Sequence, residues 1–387
     1  MKIGLAILNA EPERGGAERY TVELGASLVG RGHEVYLLAS RFARDVEPAK
    51  QVRLAGAAGS RTGRYRAYID SLDEHLKTAK YDIVHAMLPV HRCDLYHPHA
   101  GIEVFNLAMG HLRHAGAIRQ AISHLSNQLN IKRRVYAAVE TELLEQNGAA
   151  VLCLSRAMQQ IAEEHHRLRE GQAYVLVNGV DLERYDPAKR EGTIRGETRA
   201  AYGIGTGDVA ALLMANNYRL KGLRQAMQVL AGLKAAGQER AKLLVVGREP
   251  VEPYRRLAAS LGVADRVVFA GATADPCAFY AACDLFVLPT AYDSCSLVVL
   301  EALAMGKPVI TTRRNGACEA MSDGKQGFVI EDQADVEGFR EAWESLLNDG
   351  LRGQMAEAAL RLRGQLSKER HVDRLVEIYE TIRAGRG

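Results

Sequence analysis

The sequence predicts an α/β protein of two doubly wound parallel-sheet domains, on three observations. Apolar runs of buried-strand length recur along the chain, with helical patterns filling the gaps between them. The runs fall into two series of similar size. A polar, glycine-containing stretch, PAKREGTIRGETRAAYGIGTGD (Pro187–Asp208), lies between the two series. The length of 387 residues agrees, since single domains run to roughly 100–200 residues.

Taken in order, KIGLAIL (Lys2–Leu8) reads as a buried strand and EPERGG as a loop. AERYTVELGASLVGRG then reads as a helix stopped near Gly32, and HEVYLLAS as the next strand. Such βαβ units build parallel sheets covered by helices on both faces. YDIVHA (Tyr81–Ala86), AAVLCLS (Ala149–Ser155) and YVLVNG (Tyr174–Gly179) continue the first series. The second runs DVAALLMA (Asp208–Ala215), AKLLVVG (Ala241–Gly247), DRVVFAG (Asp265–Gly271), DLFVLPT (Asp284–Thr290) and KPVITT (Lys307–Thr312). The boundary is placed just after Val180, giving domains 1–182 and 183–369. In the last segment Val372, Leu375, Val376, Tyr379 and Ile382 share one helical face, so residues 370–387 are expected to cross back onto the first domain. Two such domains facing each other leave a cleft. Open α/β sheets bind ligands beyond the carboxyl ends of their strands, so the loops after strands are where chemistry is sought.

Composition narrows the class. The chain is 47% hydrophobic and 25% charged, ordinary for a soluble globular protein. A net charge of +3 implies no nucleic-acid partner by itself. The six cysteines form no CxxC pair and no zinc-ligand spacing, which points to a reduced, intracellular chain without a metal site. The N-terminus lacks a signal-peptide pattern, and no run of about 20 apolar residues exists to span a membrane.

Four loops carry chemistry. RGGAER follows the first strand and opens a helix. Gly15 and Gly16 allow close backbone approach there, and a helix N-terminus favours anions. The spacing is not GxGxxG, which disfavours a nicotinamide dinucleotide. NNYRLKG follows a strong strand and places Arg219 and Lys221 where two cations suit a diphosphate, although paired charges on a solvated turn are commoner. DSCSLVVLE puts Asp293 in a loop and Glu301 inside an apolar helix that begins near Ser296, which can cap it. Eight positions span up to about 12 Å along a helix, too far for a retaining glycosidase pair at about 5 Å. The two acids therefore read as separate grips on one elongated ligand, and a carboxylate in an apolar helix needs a partner. Finally, HPHAGIE sets His97 and His99 in one loop, where they are either structural or site residues.

Asp293-x7-Glu301 resembles the E-x7-E motif of the retaining GT-B glycosyltransferases of family GT4. VNGVDLERYDP resembles that family's segment at the domain link, GGAER its N-terminal glycine loop, and YRLKG its Arg/Lys loop. VVG, VVFAG, YAACDLFVLPT, LEALAMGKPVITT and GFVI follow in family order, so the resemblance covers essentially the whole chain. It implies two Rossmann-like domains and a nucleotide-sugar donor, UDP-glucose by preference, with no metal. Arg219 and Lys221 would hold the diphosphate, Glu301 the ribose, and Asp293 the donor sugar. Backbone N–H groups of Ser296 and Leu297 would meet phosphate or sugar. Gly15 and Gly16 would close on the phosphates, and Arg248 with the backbone of 270–273 would meet the base. His99, with His97 second, would face the donor sugar. The implied route is front-face substitution, in which the leaving diphosphate helps deprotonate the acceptor. Asp293 stands where most members have Glu, and Ser296 where Gly is usual. Other donors (UDP-GlcNAc, GDP-mannose), a nucleotide-sugar epimerase and an inactive binding module remain as alternatives.

Val104–Ala138 contains no Asp or Glu. It holds Arg113, Arg119, Lys132, Arg133 and Arg134, and sets Ile118, Ile122, Leu125 and Leu129 at helical spacing. The stretch suits either an anionic membrane surface or an ordinary core-facing helix. Within the family it resembles the lipopolysaccharide core glucosyltransferase type. That implies a phosphorylated glycan or glycolipid acceptor and a peripheral place on the cytoplasmic face of the membrane.

Overall fold

The computed structural model describes residues 1–43, 47–56, 59–109, 130–189 and 192–385. The chain divides into two compact units, Met1–Leu176 with His371–Gly387, and Val177–Arg370.

In the first unit the strands are β1 (Lys2–Ala6), β2 (Asn9–Ala10), β3 (Glu34–Ala39), β4 (Arg41–Phe42), β5 (Lys50–Arg53), β6 (Ile83–Ala86), β7 (Leu95–Tyr96), β8 (Ala150–Cys153) and β9 (Ala173–Val175). Among the described residues, seven of them form a parallel sheet in the order β5-β3-β1-β6-β7-β8-β9; β2 and β4 pair separately. Ile3, Leu5 and Ala6 of β1 are fully buried, as continuous apolar runs in parallel sheets should be. The helix Lys368–Ala384 lays Val372, Leu375, Ile378 and Tyr379 into the core that holds Ile3, Leu5 and Leu37. Each such large side chain is worth about 1.5–3 kcal/mol when buried, which ties the chain end firmly to this unit.

The second unit contains β10 (Val209–Met214), β11 (Ala241–Val246), β12 (Val267–Gly271), β13 (Leu285–Leu288), β14 (Val309–Thr312) and β15 (Gly327–Ile330), all parallel, in the order β12-β11-β10-β13-β14-β15. The observed boundary lies six residues before the expected 182. The reason is the set of bonds that residues 178–185 make to the second unit. The Val180 N–H donates to the Leu366 carbonyl at 2.7 Å, Lys368 N–H returns to the Val180 carbonyl at 2.9 Å, and Tyr185 packs on Tyr280 at 6.0 Å. The VNGVD segment thus belongs with the second unit.

Among the described residues no helix is long and apolar enough to cross a membrane, none of the six cysteines is in a disulfide, and no cluster of metal-ligating side chains is found. The basic stretch expected over 104–138 falls outside the described residues at 110–129. On either side of that gap lie the helices Glu103–Met109 and Ile131–Thr141.

Candidate active site

In the second sheet the chain leaves β10 for β11 on one side, while β13 lies on the other. Neighbouring strands whose connections run opposite ways open a crevice at their carboxyl ends. The loop after β10 carries Arg219 and Lys221, and the loop after β13 carries Asp293. The two loops are stitched together. Ala291 N–H and Thr290 Oγ1 both donate to the Leu220 carbonyl, at 2.9 and 3.1 Å. Gln333 Nε2 reaches the carbonyls of Arg219, Leu220 and Pro289 at 3.3, 3.2 and 3.0 Å. Gly222, at φ +81°, caps the helix Leu223–Ala235; a Cβ on it would lie 2.2 Å from the Pro289 carbonyl oxygen. Only glycine permits both the left-handed backbone and that approach.

The stitching brings Lys221 onto Asp293 as an ion pair, each side chain under one-fifth exposed. An ammonium has three donors, so this bond leaves Lys221 able to meet a second anion. Arg219 and Arg248 are exposed on the same rim. Tyr218 N–H donates to Glu249 Oε2 at 2.8 Å, tying the Arg219 loop to the turn that bears Arg248.

The helix Leu297–Ala304 begins at Ser296, as expected, but Ser296 does not act as expected. Its side chain makes no capping bond. Its N–H donates to Asn315 Oδ1 at 3.2 Å, so it is engaged within the protein. The Leu297 N–H donates to no described residue. Asn315 also sets the Asp293 loop, because Asp293 bridges to it and Gly316 N–H donates to the Asp293 carbonyl at 2.9 Å. Glu301 has the partner its apolar helix demands. Tyr280 OH donates to Glu301 Oε2 at 2.8 Å, and Tyr185 also bonds it. Burial first, and the Glu301 charge second, push the Tyr280 phenol well above its ordinary pKa, so it stays a donor.

The first unit holds the other predicted residues. Gly15 caps the helix Gly16–Val29 with extended backbone and no side-chain bond, and a Cβ on Gly16 would meet nothing within 4 Å. No internal packing therefore requires a glycine at 16. His99 packs on two rings, with the Tyr20 ring centroid at 4.5 Å and that of His97 at 3.9 Å, and those two rings meet each other edge-on at 5.2 Å. His97 in turn stacks on His85 at 5.4 Å. Burial, reinforced by the other imidazoles, holds His85 and His97 well below the usual histidine pKa and brings His99 down to about 3. These three rings therefore stay neutral at physiological pH. The unfolded chain binds more protons than the fold between about pH 3 and 6.5, so stability falls as pH drops through that window. Urea titrations at pH 7 and pH 5 should show the unfolding free energy declining by up to about 1.4 kcal/mol per pH unit for each histidine kept neutral. His97→Phe should make the decline shallower; an unchanged slope would remove His97 from the cause.

Sequence reasoning missed several residues that set this geometry: Gln333, Asn315, Tyr280, Tyr20 and Glu140. Asn315 carried a faint signal, an Asn-Gly pair two residues beyond a buried-strand run (VITT). Glu140 is fully buried and receives Tyr96 OH at 2.8 Å, the Glu103 N–H at 2.8 Å, the Val104 N–H at 3.1 Å and His166 Nε2 at 3.3 Å. It thereby ties helix 131–141 to the start of the basic stretch, next to the His99 loop.

Two parallel α/β units of this topology, with cation and carboxylate loops at the switch point of the second, define a GT-B glycosyltransferase. Residues 14–184 match the model of glycosyltransferase family 4, and residues 195–362 that of the glycosyl transferases group 1. The two matches together span most of the chain, which belongs to the family 4, group 1 glycosyltransferases. Lipopolysaccharide glucosyltransferase WaaG of Escherichia coli (strain K12) is 25% identical over 351 residues, covering 90% of this chain and 88% of that protein. The lipopolysaccharide core biosynthesis glycosyltransferase LpsE of Rhizobium meliloti (strain 1021) is 39% identical over 132 residues, 34% of this chain and 38% of that protein. The crystal structure of WaaG, a glycosyltransferase involved in lipopolysaccharide biosynthesis, superposes with a TM-score of 0.80 at 22% identity, over 97% of this chain and 99% of that one. Anabaena Alr3699/HepE in complex with UDP-glucose gives 0.71 at 19% identity, over 98% and 100%.

Proposed function

We propose that this enzyme transfers a hexose, glucose by preference, from a UDP-sugar to a glycan or lipid-linked acceptor of the lipopolysaccharide-core kind, with retention at the anomeric carbon. The observation that carries the reading is the Lys221–Asp293 pair at the carboxyl ends of β10 and β13, with Leu297 opening a helix beside it. Lys221, with Arg219, takes the diphosphate. Asp293 is held against the same ammonium and takes sugar hydroxyls. The Leu297 N–H adds a donor at a helix N-terminus, where anions are favoured. Glu301, fixed by Tyr280, accepts the ribose hydroxyls, and Arg248 lies on the rim assigned to the base. In the first unit, Gly15 and Gly16 offer close backbone approach to phosphate, and His99 offers a ring nitrogen to sugar. Because His99 is neutral, it acts by hydrogen bonding rather than as an acid. Departure of the diphosphate is electrostatically assisted by Lys221 and Arg219, its oxygens accept the acceptor's proton, and no metal is required. The donor preference is supported by the glucosyltransferase name of WaaG and by the UDP-glucose complex of HepE.

The acceptor side is read from the basic stretch. Within that stretch Ile131 is 68% exposed beside the exposed cations Lys132 and Arg134, an arrangement that suits the interface of an anionic membrane. The protein would then work as a peripheral enzyme on the cytoplasmic face.

The test is nucleoside diphosphate release from a panel of UDP-, GDP- and ADP-sugars. A phosphorylated glycolipid is supplied in vesicles with or without anionic phospholipid. Release from UDP-glucose, enhanced by acceptor in anionic vesicles and weakened by salt, is expected. Release from another donor alone corrects the sugar assignment. Isomerised sugar without free diphosphate marks an epimerase, and nucleotide binding without turnover an inactive binder.

A further inference from the structure

The helix Lys368–Ala384 does more in the first unit than fill the core. His371, the residue at which the chain re-enters that unit, shares a 2.8 Å hydrogen bond between its Nε2 and Tyr20 OH. Tyr20 stands in the helix that opens after Gly15 and Gly16, and its ring lies against His99. From the same helix, Tyr379 OH meets His85 Nδ1 at 2.6 Å, His85 stacks on His97, and His97 stacks on His99 and meets the Tyr20 ring edge-on at 5.2 Å. Two chains of contact therefore start on one helix and converge on one imidazole. His371, His85, His97 and Tyr379 are all buried, while Tyr20 and His99 are half-buried. Burial also keeps the Tyr20 phenol protonated, so it can donate to His371.

We propose that His371 and Tyr20 are positioning residues for glycosyl transfer, fixing the His99 imidazole through the Tyr20 ring in a cluster that His97 completes. The inference rests on the reading of His99 as substrate-facing. Tyr20 orients the ring it packs on, and His371 orients Tyr20; neither touches the sugar. A group held in register by packed rings loses rate steeply when one of them is freed, since a misplacement near 1 Å can cost about a hundredfold.

The experiment uses the full-length enzyme and diphosphate release from UDP-glucose, or from whichever sugar nucleotide the donor panel selects. His99→Ala, Tyr20→Phe, His371→Leu and His371→Gln are compared for kcat, KM and melting temperature. The expected result is a roughly ten- to hundredfold fall in kcat for Tyr20→Phe and His371→Leu, with donor KM little changed. His371→Gln, whose amide can still bond the phenol, should recover most of the rate. The Tyr20→Phe/His371→Leu double variant should be no worse than the poorer single one, because both break one contact. If His371→Leu lowers the melting temperature but leaves kcat intact, the pair is structural and the inference falls. If His99→Ala loses activity while Tyr20→Phe and His371→Leu keep it, the inference fails and the role of His99 stands. If His99→Ala itself has wild-type kcat, the reading of His99 fails and the inference fails with it.

Discussion

Lys221→Ala should weaken UDP binding by roughly thirty- to several-hundredfold while the fold survives. The ammonium sits where the loops after β10 and β13 meet, and its side chain is only 18% exposed. Truncating one partner of a largely desolvated charge pair costs about 2–4 kcal/mol, and each 1.4 kcal/mol is a factor of ten. Two losses combine. A bound diphosphate loses a charge-assisted donor, and Asp293 is left facing it as an uncompensated carboxylate. The second loss predicts a particular pattern: Lys221→Ala/Asp293→Asn should bind UDP better than Lys221→Ala alone, since the repulsion is removed. Isothermal titration with UDP measures both, and thermal unfolding monitors the fold. Wild-type UDP affinity in Lys221→Ala would move the donor site away from this loop pair. Lys221→Arg should recover only part of the affinity, because a planar fork cannot occupy the position of a compact ammonium against Asp293.

Much of this geometry was legible in the sequence because it is local. DVAALLMA, AKLLVVG and DLFVLPT are apolar runs that no polar face interrupts, and each contains the strand it predicts, β10, β11 and β13. Placing ligands after strands then singled out the loops of Lys221 and Asp293 without knowledge of the strand order. The strands that escaped notice are β5, whose KQVR is mostly exposed at the sheet edge, and two-residue pieces such as β7, too short for any periodicity. The supports of the site escaped for a different reason. Gln333 reaches across 113 positions to Leu220, and His371 across 351 to Tyr20. No spacing rule spans such distances, and a glutamine in a loop gives no hint of three carbonyls awaiting it. Ser296 illustrates the opposite error. A serine ahead of an apolar helix is a good capping candidate on local grounds, yet the Ser296 side chain makes no capping bond, and its N–H is separately taken by Asn315 from the loop after β14.

Gly222→Ala should be among the most damaging single-methyl changes near the site, and its effect should divide into two separable parts. The residue has φ +81°, so any Cβ incurs roughly 1–2 kcal/mol of backbone strain. The same Cβ would stand 2.2 Å from the Pro289 carbonyl oxygen, which is main chain and cannot swing away as a side-chain tip could. Overpacking of this kind adds about 1–3 kcal/mol. For a unit of this size the total corresponds to a fall of roughly 5–15 °C in its melting temperature. Gly237 supplies the control, since it shares the left-handed backbone at φ +77° but a Cβ there would meet nothing within 4 Å. Gly237→Ala should therefore show the strain alone, with kinetics unchanged. Gly222→Ala should lose further stability and, assayed well below its melting temperature, should also lose kcat/KM. Relief of the clash has to push the Pro289–Asp293 loop away from Lys221, parting the ion pair on which the proposed donor site depends. If the two variants matched in both melting temperature and kinetics, contact between these loops would not be what holds Lys221 and Asp293 together.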